Sequence, residues 1–164
     1  MKTKKILLLL MLVIFVGVIA YVILQVHNKS IEQNNMNAKI QENRDASEDG
    51  IIEIKDEYFI GATNDVYYNL DKYVGRTIKM KGILYVYEAE GETCYAVVRN
   101  SPGCCGNDGL AGLDVKYNGE YPAKDTWVEI VGVVEKEKWQ NGDNPILNIT
   151  SMEETEPGQA FVNN

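Results

Sequence analysis

Histidine is almost missing from this chain: His27 is the only one in 164 residues. A domain without histidine lacks the usual proton shuttle near neutral pH and the commonest nitrogen ligand for metals. Positive charge is scarce as well. All 24 acidic residues, but only 13 of the 16 basic ones, lie beyond Val26. A phosphate backbone would meet the wrong sign there, so nucleic acid is not an expected partner. The excess acid serves solubility and mildly concentrates cations. Cysteine is limited to three, too few for a disulfide framework and odd in number. None borders the N-terminal apolar run, which leaves no acceptor for a lipid-modified N-terminal cysteine. No internal repeat is visible.

What the chain does have begins at its N-terminus. Met-Lys-Thr-Lys-Lys precedes an apolar run from Ile6 to Val26, interrupted strongly only by Gln25. A bilayer-spanning helix needs about 20 such residues. The run has no polar face, which argues against a buried soluble helix. Lys2, Lys4 and Lys5 lie before it, so the positive-inside bias holds the N-terminus in the cytoplasm and sends the rest across. Val18-Ile19-Ala20 resembles a signal-peptide cleavage site, but the apolar run continues through Tyr21 to Val26, which favours a retained anchor. The expectation is a single-pass cell-membrane protein with its domain on the extracytoplasmic side.

Residues 1–27 are thus read as the transmembrane anchor. Residues 28–50 are polar, without aromatics, and cannot bury a core of their own; they read as a linker, with helical character close to the membrane. The folded domain is expected over 51–152, about 100 residues around one core. A polar tail, 153–164, follows along the surface. Ile51-Ile-Glu-Ile reads as a short strand or lead-in segment. Asn64 to Gly75 reads as a helix, with Asn64 as its cap, Gly75 as its stop, and Val66, Leu70 and Tyr73 on one face. Five strands follow: Arg76–Tyr87, Thr93–Asn100, Leu110–Tyr117, Trp127–Val134 and Pro145–Thr150. In the first, Ile78, Met80, Gly82, Leu84 and Val86 alternate with Lys79, Lys81, Ile83, Tyr85 and Tyr87. Gly82 and Gly132 interrupt long strands, as residues at barrel corners do. The fold class expected is mainly β: a small five-stranded barrel of the oligonucleotide/oligosaccharide-binding (OB) type, with one short helix, preceded by a single transmembrane helix. A five-stranded sandwich fragment is the alternative.

The chemistry concentrates in Ser101-Pro-Gly-Cys-Cys-Gly-Asn-Asp-Gly109, a loop too rich in Gly, Pro, Asn and Asp for regular structure. Cys104 and Cys105 can share a soft metal or close a vicinal disulfide. Cys94 could add a third thiolate and Asp108 a carboxylate, a mixed set acceptable to Zn²⁺ or another thiophilic metal. The Cys-x-x-Cys spacing of standard sites is absent. A disulfide involving Cys94, or an inert turn, stands beside the metal reading. A second candidate is an aromatic face: Tyr85 and Tyr87 on one strand, Tyr95 on the next, with Arg99 to neutralise a thiolate or a ligand anion, or simply to pair with a nearby Asp or Glu. Such a face on an OB barrel stacks bases or sugars, and would suit a glycan, peptide or protein partner. Ordinary strand packing explains the same aromatics more simply. Catalysis is the least favoured class, because no base stands near a nucleophile.

The segment from Ala96 through Arg99 and Cys104-Cys105 to Val115 resembles the arginine-to-double-cysteine segment of the YcgQ-like family of bacterial membrane proteins. In that family the segment follows a Gly-x-Val-x-Val-x-Gly strand and precedes a Trp-Val-x-Val-x-Gly strand. Here these correspond to Gly75-Arg-Thr-Ile-Lys-Met-Lys-Gly82 and Trp127-Val-Glu-Ile-Val-Gly132. The likeness runs from about Tyr58 to Met152. It implies an OB-like C-terminal domain, a place beside a membrane permease and a metal-related role. The chain departs from the family in its single short spanning segment. It also carries Gly106-Asn107-Asp108 where Ala-Ala-Asp is commoner.

Overall fold

The computed structural model describes residues 2–45, 50–101, 109–139 and 142–159. Helix α1 spans Lys2–Asp45, so the polar stretch after Val26 continues the apolar helix rather than ending it. At ~1.5 Å per residue it is ~66 Å long, about twice a bilayer's hydrocarbon core. Its apolar part is long enough to cross a membrane. Residues 1–39 and 40–164 form two separate compact units.

In the second unit, β1 (Ile51–Ile54) leads into a 3₁₀ turn, Asp56–Tyr58, then α2 (Phe59–Tyr68) and α3 (Leu70–Tyr73). The strands are β2 (Thr77–Ala89), β3 (Glu92–Ser101), β4 (Gly109–Tyr117), β5 (Trp127–Trp139) and β6 (Gly142–Glu154). They run in the order β1-β2-β3-β4-β6-β5, and β5 pairs back onto β2. Five strands therefore close a barrel, and β1 adds a sixth by lying parallel to β2. β4 and β6 are parallel, whereas the other barrel pairs are antiparallel. This is the expected OB-like barrel with one extra strand.

The alternation in β2 translates into an inner face. Ile78, Met80 and Leu84 are buried, and they meet Val97, Leu113, Val128, Ile130, Val134 and Leu147 in the core. Gly82 keeps that alternation where a side chain cannot fit: a Cβ there would lie 2.7 Å from Val97 Cγ1 and 2.8 Å from the Val98 carbonyl oxygen. Gly132 sits at a register shift between β5 and β6.

The helical region differs from the sequence reading. The helix begins at Phe59, five residues before the expected cap, and breaks at Asn69. Phe59, Ile60, Ala62, Thr63 and Val66 are all buried, so tertiary burial starts the helix earlier than capping chemistry suggests. Thr63 lies inside it and donates back to the Phe59 and Ile60 carbonyls. Asp65, in the second half of α2, accepts hydrogen bonds from Asn69 and from the Tyr73 hydroxyl. Val66, Leu70 and Tyr73 do share the buried face, and Gly75, at φ 80°, ends the helical run.

Candidate functional site

In an antiparallel pair, residues directly opposite one another point to the same face. Tyr85 pairs with Ala96 and Tyr87 with Cys94, while Ala96 in turn pairs with Asp114. The outer face of β2, β3 and β4 therefore gathers Tyr85, Tyr87, Cys94 and Asp114. The rings of Tyr85 and Tyr87 stack with centroids 5.9 Å apart and planes 21° apart. The Tyr87 hydroxyl donates to Asp114 Oδ1 at 2.8 Å.

Two grooves flank this hydrogen bond, and Tyr87 and Asp114 line both. The larger, about 510 Å³, lies between the β2–β3 and β5–β6 hairpins, with Cys94, Tyr95, Tyr121 and Trp139 in its walls. The smaller, about 260 Å³, is bounded by Tyr67 of α2, Tyr85, Val98, Leu110 and Leu113. Burial pushes the Asp114 carboxyl up, and Glu137 adds to this; the bond from Tyr87 only partly opposes it. The phenols respond to the same surroundings. Burial first, then Asp114, push the Tyr67 hydroxyl up to about 12, and the Tyr87 hydroxyl is likewise raised. The Cys94 thiol is also raised, by burial and by the acids Asp114 and Glu92. A raised thiol ionises less readily, the opposite of what a nucleophile needs.

Two of the residues expected on this face are elsewhere. Tyr95 pairs with Val86, on the opposite side of the sheet from Tyr85 and Tyr87. It reaches the large groove from the barrel's rim, stacked 3.8 Å from Tyr121, which meets Tyr117 edge-on. Arg99 is not on the outer face at all. It shares the inward direction of Val97 and is fully buried. Its guanidinium donates to Asp56 at 2.5 Å, to the Lys81 carbonyl at 2.9 Å, and to the Gln159 carbonyl. It lies over the rings of Trp127, at 4.5 Å, and Phe59, at 5.3 Å. The C-terminal tail is held to the barrel here: a Cβ on Gly158 would fall 3.0 Å from the guanidinium. Arg99 joins the lead-in segment, the barrel and the tail.

Cys104, Cys105 and Asp108 lie outside the described residues. The base of their loop is described: Ser101 pairs with Gly109. Cys94 starts from the other end of β3, seven residues from Ser101, or ~23 Å along an extended strand. Proximity in sequence therefore does not place Cys94 beside that loop's base. Among the described residues no three His, Cys, Asp or Glu side chains are grouped to hold a metal.

The arginine, the inward-facing strand residues and the barrel order now stand together. A family model for the DUF1980 C-terminal domain matches residues 28–163. The chain belongs to this family. The match extends beyond the folded region of the YcgQ-like resemblance into the polar part of α1. Among solved structures, the dimeric N-terminal domain of PriB protein from Thermoanaerobacter tencongensis is similar at 12% identity and a TM-score of 0.30, covering 49% of this chain and 97% of that one. No curated protein matches the sequence.

Within this DUF1980 domain, the sequence reading missed Tyr67, Asp114, Tyr121, Trp139 and Asp56. Asp114 sits between Leu113 and Val115, where an outward carboxylate reads as a solvated strand position. Its signal was present only in register: it lies opposite Ala96, one residue across from Tyr85 and Tyr87. Asp56, 43 residues before Arg99, carries no local signal for their pairing.

Proposed function

We propose that this DUF1980 protein is a membrane-anchored, non-catalytic binding module. Its domain faces away from the cytoplasm and takes its ligand on the tyrosine-rich face of β2, β3 and β4. One observation carries the reading: the Tyr87–Asp114 hydrogen bond stands between two grooves, the larger with a mixed polar and aromatic lining and the smaller with largely aromatic and apolar walls. OB barrels use the face of their second and third strands, between the loops joining strands one to two and four to five. Here those strands are β3 and β4, and the loops belong to the β2–β3 and β5–β6 hairpins. Glycans, peptides and protein segments suit such a face. Catalysis is not proposed, since the Cys94 thiol is raised and the domain holds no histidine. The lysines before the apolar run support the sidedness.

A second reading concerns the double cysteine. The Ser101–Gly109 pairing clamps the loop's base, and adjacent thiolates with Asp108 would suit Zn²⁺ or another thiophilic ion beside a membrane permease. Ligand-observed NMR on the full chain in maltoside micelles separates the two, using a mixture of oligosaccharides and short peptides with and without Zn²⁺. The tyrosine face predicts binders whose signal disappears in the Tyr85→Ala/Tyr87→Ala variant and persists in Cys104→Ser/Cys105→Ser. Binding that follows the cysteines and ignores the tyrosines overturns the first reading in favour of the second.

A further inference from the structure

The smaller groove has an uneven chemistry. Tyr67, Tyr85 and Tyr87 offer three aromatic rings, Val98, Leu110 and Leu113 add apolar surface, and Asp114 is the only charged residue lining it among the described residues. Two of the rings are open to solvent: Tyr67 is 41% and Tyr85 39% exposed. Asp114 is half-buried and receives the Tyr87 hydroxyl. Lys116, the next residue on the same face of β4, does not neutralise it, because its ammonium is paired with Glu137. The groove thus holds a carboxylate drawn partly out of water, with no lysine or arginine among the described residues of its walls. A partly desolvated charge without a counter-charge is costly, and a ligand cation offsets that cost.

We infer that this groove, formed by Tyr67, Tyr85, Tyr87 and Asp114, binds a small organic cation with a quaternary ammonium head. The inference rests on the tyrosine face being the binding face. An anion would meet Asp114 with the wrong sign, and a neutral ligand would bury the carboxylate further without neutralising it. A primary ammonium brings three N–H donors that must each find an acceptor, which a largely aromatic and apolar wall supplies poorly. A quaternary ammonium has no N–H to satisfy. It spreads its charge over methyl groups, which pack against ring faces and are drawn to their negative quadrupoles. The volume, about 260 Å³, is near the lower end of ligand pockets, ~300–1,000 Å³, and suits a head group rather than a polymer. The domain's excess of acid draws cations toward it.

The test uses the full chain in phosphatidylglycerol nanodiscs, with choline as the probe and 3,3-dimethyl-1-butanol as its uncharged isostere. Choline is expected to bind and the isostere to bind at least tenfold more weakly. Asp114→Asn, which keeps an acceptor for Tyr87, should weaken choline at least tenfold, and Tyr85→Ala should do so independently. In phosphatidylcholine nanodiscs an unchanged affinity assigns the site to a free solute, and a weakened one assigns it to lipid headgroups. Equal binding of choline and its isostere, or full affinity in Asp114→Asn, overturns the inference. If choline fails to bind while an oligosaccharide or peptide still requires Tyr85 and Tyr87, the cation falls and the binding face stands. If no ligand depends on those tyrosines, both fall.

Discussion

Replacing Arg99 with methionine should unfold this domain more readily than almost any other single change to a polar residue. Methionine keeps an unbranched chain of similar reach but removes the guanidinium. It strands the Asp56 carboxylate and the carbonyls of Lys81 and Gln159, all of which Arg99 satisfies. It also deletes the cation held over Trp127 and Phe59. Removing one partner of a buried ion pair costs about 3–5 kcal/mol. Asp56 is 35% exposed and water repays part of its loss, which places the expected cost near the lower end, about 3 kcal/mol. For a domain near 100 residues each kcal/mol moves the midpoint by about 4–8 °C, so Tm should fall by about 12 °C or more. Thermal unfolding of the full chain, followed by tryptophan fluorescence, reads this directly, since Trp127 is one of the two tryptophans. Asp56→Asn alone should cost about 1 kcal/mol, because its carboxylate is partly solvated. In the Arg99→Met background the same change should cost almost nothing, since the pair is already broken. A Tm loss under about 4 °C for Arg99→Met, or equal effects of Asp56→Asn in both backgrounds, would refute the view of Arg99 as the clamp between lead-in segment, barrel and tail.

Gly112→Ala places a Cβ 2.1 Å from the Val97 carbonyl oxygen, inside the β3–β4 ladder. Urea unfolding should show a loss of about 2 kcal/mol or more, and a neutral effect would contradict the close strand approach. Burial holds the Asp114 carboxyl above its ordinary value near 3.8. A carboxyl raised in the folded state keeps its proton longer there than when unfolded, so this group makes stability fall as pH rises from about 3.8 through the raised value. Asp114→Asn should abolish that fall and be neutral or stabilising at pH 7; a variant markedly less stable than the parent at pH 7 would reverse the sign. Protease added to intact cells or spheroplasts should remove residues 51–164 and spare the membrane segment, and protection of the domain until lysis would overturn the proposed sidedness.

The strand region was legible because its residues alternate. Ile78, Met80, Leu84, Val128 and Ile130 declare an inner face by period two alone, and the glycines at 82 and 132 mark where coiled strands need room. The apolar run from Ile6 to Val26 declares a membrane-length helix by composition. The helical segment was misjudged at its start because Phe59, Ile60 and Ala62 helicise by packing against the barrel, a force that local capping rules do not contain. Residue 82 can be called a corner from its type, but which strands meet there depends on β5 returning to β2.

The site divides along the same line. Period two places Tyr85 and Tyr87 together on one strand, yet it cannot say which face of the next strand lies beside them. That was decided by register: opposite Val86 and Leu84, Tyr95 and Val97 turn to the inner side, and Arg99 follows them into the barrel. The same register brings Cys94 beside Tyr87 and Asp114 beside Ala96. A shift of one residue would have exchanged the two sets. The sequence determined that the chain would have a membrane-length helix and a barrel of alternating strands. Only the tertiary structure decided that Arg99 is fully buried while Tyr85 stays on the outer face, because strand pairing is a contact between residues far apart in the chain.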